Sequence, residues 1–236
     1  MNRVAWIPAF LFVFAVPLFL VTASVAWAFN DPSVYNRGFQ KYRISLATGI
    51  TEEDLRHVAG QIRHYFNSTD EPMLVKTQVY VEERELFNPR EVQHMRDVKR
   101  LVWWVYAAAA ASGIYLLAAT SWGIVVNGRV FLGVLAHRVI RGVALMGILV
   151  VAVGILALSG FDTLFLRFHQ LAFANDLWQL DPRRDYLVII FPQGFWFDAT
   201  MRVVASTVSG AVALTLASGG YLLWTRRAGK RGAELA

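Results

Sequence analysis

Four long apolar segments constrain this chain more than any other feature of its sequence. A helix needs about 20 apolar residues to cross the hydrocarbon core of a bilayer. All four segments reach that length, and 56% of the 236 residues are hydrophobic, which exceeds the share in a typical soluble domain. We therefore predict an all-α membrane protein with four transmembrane helices, at residues 1–29, 101–126, 139–159 and 199–224.

The first segment has some features of a signal peptide, since it begins near Arg3 and ends in Ala26-Trp27-Ala28. Its apolar run is longer than the roughly 7–15 residues of a signal peptide. We expect this segment to be retained as a membrane span.

The distribution of charge predicts the orientation of the chain, because basic residues next to membrane spans stay in the cytoplasm. The loop at 127–138, with its flank, carries three arginines and no acid, and the tail at 225–236 carries four basic residues against one acid. We expect this loop and both termini to be cytoplasmic, with segments 30–100 and 160–198 on the outer face of a bacterial cytoplasmic membrane. The net charge of +6 follows from this arrangement and predicts no nucleic-acid partner.

The two outer segments predict a small extracytoplasmic cap of helices and a β-hairpin. Thr51 is a typical N-cap before acidic residues, and apolar residues at helical spacing continue to Phe66. Alternating residues in Met73–Glu82 predict a short hairpin. The sequence Asn88-Pro89-Arg90-Glu91 starts a helix that continues into the second span. The aromatic stretch Phe161–Phe173 predicts an amphipathic helix at the interface.

Two histidines, His94 and His169, are predicted next to different spans on the outer side. The side chain of histidine changes protonation near neutral pH, so this pair is suited to proton transfer. Acidic residues accompany both histidines at helical spacing: Glu91 and Asp97 near His94, and Asp162 and Asp176 near His169. The alternative interpretation is a solvated helix face with ordinary ion pairs around His94 and an interface-facing side chain at His169.

Other catalytic and cofactor motifs are missing from the sequence. Cysteine is absent, which excludes disulfides, thiolate metal sites and cysteine nucleophiles. There is no serine-elbow, P-loop or Rossmann pattern. His57 and His64 are seven residues apart but lack the spacing of a zinc motif, so we expect no metal and no cofactor.

Four blocks of sequence resemble a known family of four-span bacterial membrane proteins that includes the lipoprotein intramolecular transacylases. The resemblance extends over roughly residues 35–198 and includes both outer segments. The blocks are Tyr35-Asn36-Arg37-Gly38-Phe39, the stretch from Leu86 to Lys99, Ser159-Gly160-Phe161-Asp162, and the stretch from Phe168 to Pro182.

The resemblance implies an acyl transfer within diacylglyceryl-modified lipoproteins, the partner that we expect together with membrane lipids. The acyl chain moves from the sn-2 position of the glyceryl group to the α-amino group of the N-terminal cysteine, which gives the lyso-form. The two motif histidines of the family match His94 and His169. Residues that we expect to bind substrate or stabilise the oxyanion are Tyr35, Arg37, Asp97, Asp162, Asn175, Asp176 and Trp178.

Amide formation requires a neutral amine, and an α-amino group has a pKa of about 7.7–8.0, so a general base assists it. The reaction is intramolecular in the substrate, so no protein nucleophile is needed. We favour His169 as the base because of its apolar surroundings, with His94 as its partner. The alternatives are a metal-assisted membrane hydrolase that uses His57, His64, His94 and His169, and a lipoprotein- or lipid-binding protein without catalysis.

Overall fold

The computed structural model describes residues 6–80, 82–158 and 160–234 and is mostly α-helical. Arg3 and the ends of two predicted spans, before Trp6 and at Ser159, lie outside the described residues. The elements in chain order are α1 (Trp6–Asn30), α2 (Pro32–Lys41), α3 (Ile44–Thr48), α4 (Glu52–Asn67), β1 (Lys76–Val79), β2 (Glu82–Glu85), α5 (Pro89–Asn127), a 3-10 turn (Gly128–Val130), α6 (Phe131–Leu158), α7 (Phe161–Ala172), α8 (Tyr186–Ile190) and α9 (Gln193–Glu234).

Among the described residues, three helical stretches are long and apolar enough to cross a membrane: Ala9–Asn30, Pro89–Leu156 and Gln193–Ala228. The second stretch has 68 residues and contains both α5 and α6. The connection between these helices is the turn Gly128–Val130, which lies inside the loop predicted at 127–138.

One compact unit consists of the described parts of residues 1–24, 106–155 and 204–236. Glycines allow close packing onto α1: a Cβ at Gly142 would lie 2.7 Å from Val16 Cβ, and one at Gly113 would lie 2.9 Å from Phe19 Cε2. Val16 and Phe19 are one helical turn apart, whereas a straight helix would separate the two glycines by more than about 40 Å. The stretch from α5 to α6 therefore folds back on itself.

The second compact unit consists of residues 25–105 and 156–203. Its core is apolar and centres on α4, where Leu55, Val58 and Ile62 are at most 1% exposed. Thr51 Oγ1 accepts a hydrogen bond from the backbone N–H of Asp54, as expected of an N-cap. The predicted helix from Thr51 to Phe66 is confirmed by α4.

The hairpin lies slightly further along the chain than the predicted Met73–Glu82. Strands β1 and β2 pair antiparallel, from Lys76 opposite Glu85 to Val79 opposite Glu82. Tyr80, with φ of 58°, donates its backbone N–H to the carbonyl of Gly49, whose own φ is 72°. A Cβ at Gly49 would lie 2.6 Å from Tyr80 Cζ, so glycine is required at this contact.

The start of α5 has the predicted capping box. Asn88 Oδ1 accepts hydrogen bonds from the backbone N–H groups of Arg90 and Glu91, at 3.0 and 3.1 Å. Glu91 Oε2 in turn accepts one from the backbone N–H of Asn88 at 2.7 Å. This cap places the first turn of α5 immediately before His94.

Candidate active site

His94 and His169 lie side by side in the second unit. Their ring centroids are 6.1 Å apart, and the ring planes differ by 34°. His94 is 6% exposed and His169 is 9% exposed. Both rings are therefore close enough to contact the same small reacting group.

The imidazole of His169 has a defined tautomer. Its Nδ1 lies 2.8 Å from the backbone carbonyl oxygen of Phe165, one turn earlier on α7. A carbonyl oxygen only accepts, so Nδ1 carries the proton and donates it to this bond. The lone pair of the neutral ring is consequently on Nε2, where it is able to accept a proton.

Aromatic rings enclose His169 and give it an apolar environment. The centroid of its ring lies 4.3 Å from that of Phe165, 5.5 Å from that of Phe173 and 5.3 Å from that of Trp178. Phe173 also contacts His94 edge to face, with centroids 5.1 Å apart. Phe173 therefore contributes to the surroundings of both histidines.

The pKa values of both histidines are shifted below their ordinary value of 6.5. Burial, and to a smaller extent nearby His169, lowers the pKa of His94 to about 4, while Asp97 opposes the shift. Burial also lowers the pKa of His169, and the hydrogen bond to the Phe165 carbonyl opposes that shift. His94 lies in the polar first part of α5, before the apolar segment at 101–126, and His169 lies on α7, outside the candidate spans. Since both pKa values are lowered from 6.5, both rings are neutral at pH 7.

One ring nitrogen of His94 is inaccessible to solvent. Its Nδ1 is buried and has no hydrogen-bond partner among the described residues. A substrate atom does not reach this nitrogen without movement of its surroundings. Nε2 is therefore the nitrogen of His94 that is suited to contact substrate.

The helix that carries His94 is bound to the segment that follows α7 by buried hydrogen bonds. Glu91 Oε1 accepts one from the backbone N–H of Leu187 at 2.6 Å, and Glu91 is only 1% exposed. Asn88 Nδ2 donates to Asp185 Oδ1 at 2.9 Å. These contacts hold α5 and α8 in fixed positions near the histidine pair.

A second set of contacts binds the loop after α7 to the same helix. Asn175 Nδ2 donates to Asp97 Oδ2 at 2.9 Å, and Arg90 Nη2 donates to the carbonyl of Asp176 at 2.6 Å. Trp178, which lies on this loop, is the residue that contacts the His169 ring. Trp178 therefore contacts His169, while Asn175 binds Asp97, which lies three residues after His94 on α5.

The predicted shared face of Asp162, His169 and Asp176 does not form. Helix α7 ends at Ala172, so Asp176 lies beyond it on the loop. Asp176 Oδ1 accepts from Gln179 at 3.0 Å, and Asp162 Oδ1 accepts from Gln193 at 2.6 Å. The His169 imidazole is oriented by a carbonyl group and aromatic rings instead.

Tyr35 and Arg37 have partners away from the histidines. Tyr35 donates its hydroxyl to the carbonyl of Phe29 at 2.9 Å. Arg37 Nη2 donates to Ser33 Oγ at 2.9 Å on the exposed side of α2.

The histidines of α4 do not join the pair. His57 and His64 are exposed, and His64 Nε2 lies 3.1 Å from Asp70 Oδ2. Within residues 6–80, 82–158 and 160–234, no three histidine or acidic side chains are grouped as metal ligands would be.

Three supporting residues of the site were missed by sequence reasoning: Arg90, Asp185 and Leu187. Arg90 belongs to the predicted cap, and its contact with the Asp176 carbonyl was not predicted. Its Nε is buried and has no hydrogen-bond partner among the described residues. Glu91 was identified at helical spacing from His94, yet its carboxylate caps the helix and binds Leu187. The capping pattern in the sequence was the available signal for that role.

Several comparisons identify relatives. An uncharacterized protein of Aquifex aeolicus is 29% identical over 126 residues, which are 51% of this chain and 50% of that protein, so the chain matches only about half of that relative's length. The in meso structure of the membrane-integral lipoprotein intramolecular transacylase Lit from Bacillus cereus has a TM-score of 0.80. The identity is 14%, with 96% of this chain and 99% of that one covered, and shows a shared fold.

Structures of the Bacillus cereus protein with one histidine replaced by arginine or by alanine also match. Both have TM-scores of 0.75 at 14% identity, over 97% and 96% of this chain and 96% of each variant. The family model of lipoprotein intramolecular transacylase Lit matches residues 10–196. The chain therefore belongs to the lipoprotein intramolecular transacylase Lit family of membrane proteins.

Proposed function

We propose that this chain is a lipoprotein intramolecular transacylase in which His94 and His169 transfer protons. The substrate is a diacylglyceryl-modified lipoprotein, and the product is its N-acyl lyso-form. Membership of the family supports the reaction. The observation that supports the catalytic roles is the pair of buried, neutral imidazoles with centroids 6.1 Å apart.

His169 is the general base in this mechanism. Its Nδ1 proton is held by the Phe165 carbonyl, so Nε2 accepts the proton of the α-amino group as nitrogen attacks the ester carbonyl. The lowered pKa keeps Nε2 unprotonated at neutral pH. The surrounding aromatic rings exclude water that would otherwise compete with the amine.

His94 is the neutral hydrogen-bond donor. A pKa of about 4 means that it is not an imidazolium at pH 7, so it polarises the carbonyl with a neutral N–H. With Nδ1 sealed, Nε2–H is the donor to the developing oxyanion.

The protons balance without a protein nucleophile. The new C–N amide bond forms as the C–O bond to the sn-2 oxygen breaks. The proton that leaves the amine for His169 is returned to the sn-2 oxygen, which becomes a hydroxyl group. The enzyme ends the reaction in its starting protonation state.

We place this site on the outer face of a bacterial cytoplasmic membrane, with α1, α5, α6 and α9 as four spans and both termini inside. The basic loop and tail support this orientation. Helix α7 supports an interfacial position, since Leu171 is 88% exposed and Phe168 is 48% exposed beside the buried His169. Acyl chains anchored in the bilayer would reach the histidines along this face.

The test is mass spectrometry of lipoprotein N-terminal peptides from a strain that lacks other N-acylating enzymes. Expression of the full chain should give N-acyl lyso-form peptides. His94→Ala and His169→Ala should lower the lyso-form by about 100-fold or more, as expected for loss of acid–base catalysis. His57→Ala, which removes an exposed histidine, is the matched control and should preserve it.

Two results would contradict this function. Unchanged acylation on expression of the chain would leave a binding role without catalysis. Release of free fatty acid without an N-acyl product would indicate a hydrolase.

A further inference from the structure

A second polar site lies where α2 meets the first turns of α9. It is a cavity of about 240 Å³, and its lining includes the basic residues Arg37, Lys41 and Arg202, the acidic residue Asp198 and the apolar residues Val34, Phe195 and Ala199. Helices α2 and α9 approach each other closely at Gly38, where an added Cβ would overlap the Phe195 ring.

Basic side chains outnumber carboxylates at this cavity. Lys41 Nζ pairs with Asp198 at 2.6 Å. Arg202 Nη1 lies 3.5 Å from Asp31 Oδ2, a longer ion pair. Arg37 forms no ion pair within the part of the chain that the structure describes. It lies one turn of α2 before Lys41.

A hydroxyl group lies between the two guanidinium groups. Ser33 Oγ accepts from Arg37 Nη2 at 2.9 Å and from Arg202 Nη1 at 2.9 Å. The two arginines therefore approach one oxygen atom from different helices. An anion with several oxygen atoms satisfies such a pair better than one hydroxyl does, since guanidinium groups bind phosphate oxygens in a bidentate manner.

The cavity lies beside residues that are typical of the membrane boundary. The candidate span in α1 ends at Asn30, and the one in α9 begins at Gln193, so the cavity lies next to the ends of two apolar helices. The guanidinium of Arg202 lies 5.7 Å from the centroid of Trp27, a side chain that is 48% exposed. Half-exposed tryptophan and arginine are typical of the boundary between headgroups and acyl chains.

We propose that this cavity binds the phosphodiester group of an anionic phospholipid headgroup. Arg37 and Arg202 bind the phosphate oxygens, and the wall of Val34, Phe195 and Ala199 contacts the glycerol and the start of an acyl chain. The apolar wall favours a lipid over free phosphate. Neither His94 nor His169 lines this cavity, and lipid binding is measured without turnover, so the proposal does not depend on the proposed reaction.

The experiment is native mass spectrometry of the full chain in mild detergent. Three probes are titrated: dioleoyl phosphatidylglycerol, dioleoyl phosphatidylcholine and inorganic phosphate alone. We expect the first phosphatidylglycerol to bind at least fivefold more tightly than phosphatidylcholine, and phosphate alone to leave no stable adduct.

Substitutions of the two arginines test whether the lipid binds in this cavity. Arg37→Gln and Arg202→Gln should each weaken the first phosphatidylglycerol by about tenfold, the loss expected for one charge-assisted contact of about 1.4 kcal/mol. Arg56→Gln removes an equal charge from an exposed position on α4 and should leave the affinity unchanged. Arg37→Gln breaks no ion pair, so it remains informative if Arg202→Gln lowers the thermal unfolding midpoint.

Three results would overturn the assignment. Arg37→Gln with wild-type affinity would place the lipid elsewhere. An equal loss in Arg56→Gln would indicate general surface charge. Equal binding of phosphatidylcholine, or a stable adduct with phosphate alone, would exclude a site for anionic lipid.

Discussion

Glu91 Oε1 and the backbone N–H of Leu187 form a 2.6 Å hydrogen bond between residues 96 positions apart in the sequence. The other carboxylate oxygen caps the helix that carries His94. One buried side chain therefore fixes both the start of α5 and the segment that follows the loop of Trp178.

Replacement of Glu91 by alanine should destabilise the protein. It leaves two backbone N–H groups without acceptors in a buried environment, and we expect the free energy of unfolding to fall by about 3 kcal/mol. Thermal unfolding in detergent measures the change. Glu83→Ala, at an exposed position on β2, is the control and should change stability by less than about 0.5 kcal/mol. Equal effects of the two substitutions would contradict a structural role for Glu91.

The pH dependence of the reaction should follow the substrate amine alone. Well below the amine pKa, about 7.7–8.0, activity rises tenfold per pH unit, because only the neutral amine attacks. Both histidine pKa values lie below 6.5, so His94 and His169 are already neutral there. Plots of log initial rate against pH on a diacylglyceryl lipopeptide should have a slope close to one near pH 6.5 that falls as the amine pKa is approached. A slope clearly above one near pH 6.5 would mean that a histidine titrates there with an ordinary or raised pKa.

Replacement of Trp178 by alanine should raise the pKa of His169 towards 6.5. The indole contributes to the burial that lowers this pKa, and its removal admits water to the ring. The plot of log rate against pH should then keep a slope above one up to a higher pH than in the wild-type protein, because the titration of His169 adds to that of the amine. Trp178→Phe keeps an aromatic ring and should preserve the wild-type profile. Identical profiles for Trp178→Ala and the wild type would show that the indole does not protect His169.

Two glycine substitutions should have opposite effects on stability. Gly38→Ala introduces a Cβ that overlaps Phe195, and we expect a loss of about 1–3 kcal/mol. Gly60→Ala, inside α4, has no atom within 4 Å of its new Cβ and should gain about 0.5–1 kcal/mol. Both are measured by unfolding in the same detergent. A neutral Gly38→Ala would contradict close packing of α2 against α9.

Local signals in the sequence predicted the local structure well. Thr51 and the Asn88–Glu91 box start helices as expected, because cap hydrogen bonds involve residues within one turn of each other. The family resemblance, and not the spacing, indicated that His94 and His169 belong to one site. Helical spacing alone left the alternative of a solvated surface open.

Contacts between distant segments were not predictable in the same way. The helical spacing of His169 and Asp176 would place them on one face only in a continuous helix, but Asn175 Oδ1 accepts from the backbone N–H of Leu177 at 3.0 Å. This Asx turn competes with helical hydrogen bonding and favours a loop. The partners of Glu91 and Asp97 lie on that loop and on α8, and no periodic pattern connects them to α5.

The most direct measurement of joint action by His94 and His169 is the initial rate of N-acyl product formation by the purified full chain on a diacylglyceryl lipopeptide. Residues that act in one step lose activity non-additively. We predict that His94→Ala, His169→Ala and the double variant all fall to the same residual rate, while His57→Ala keeps the wild-type rate. Wild-type rates in either single variant, or losses that multiply in the double variant, would contradict a shared catalytic step.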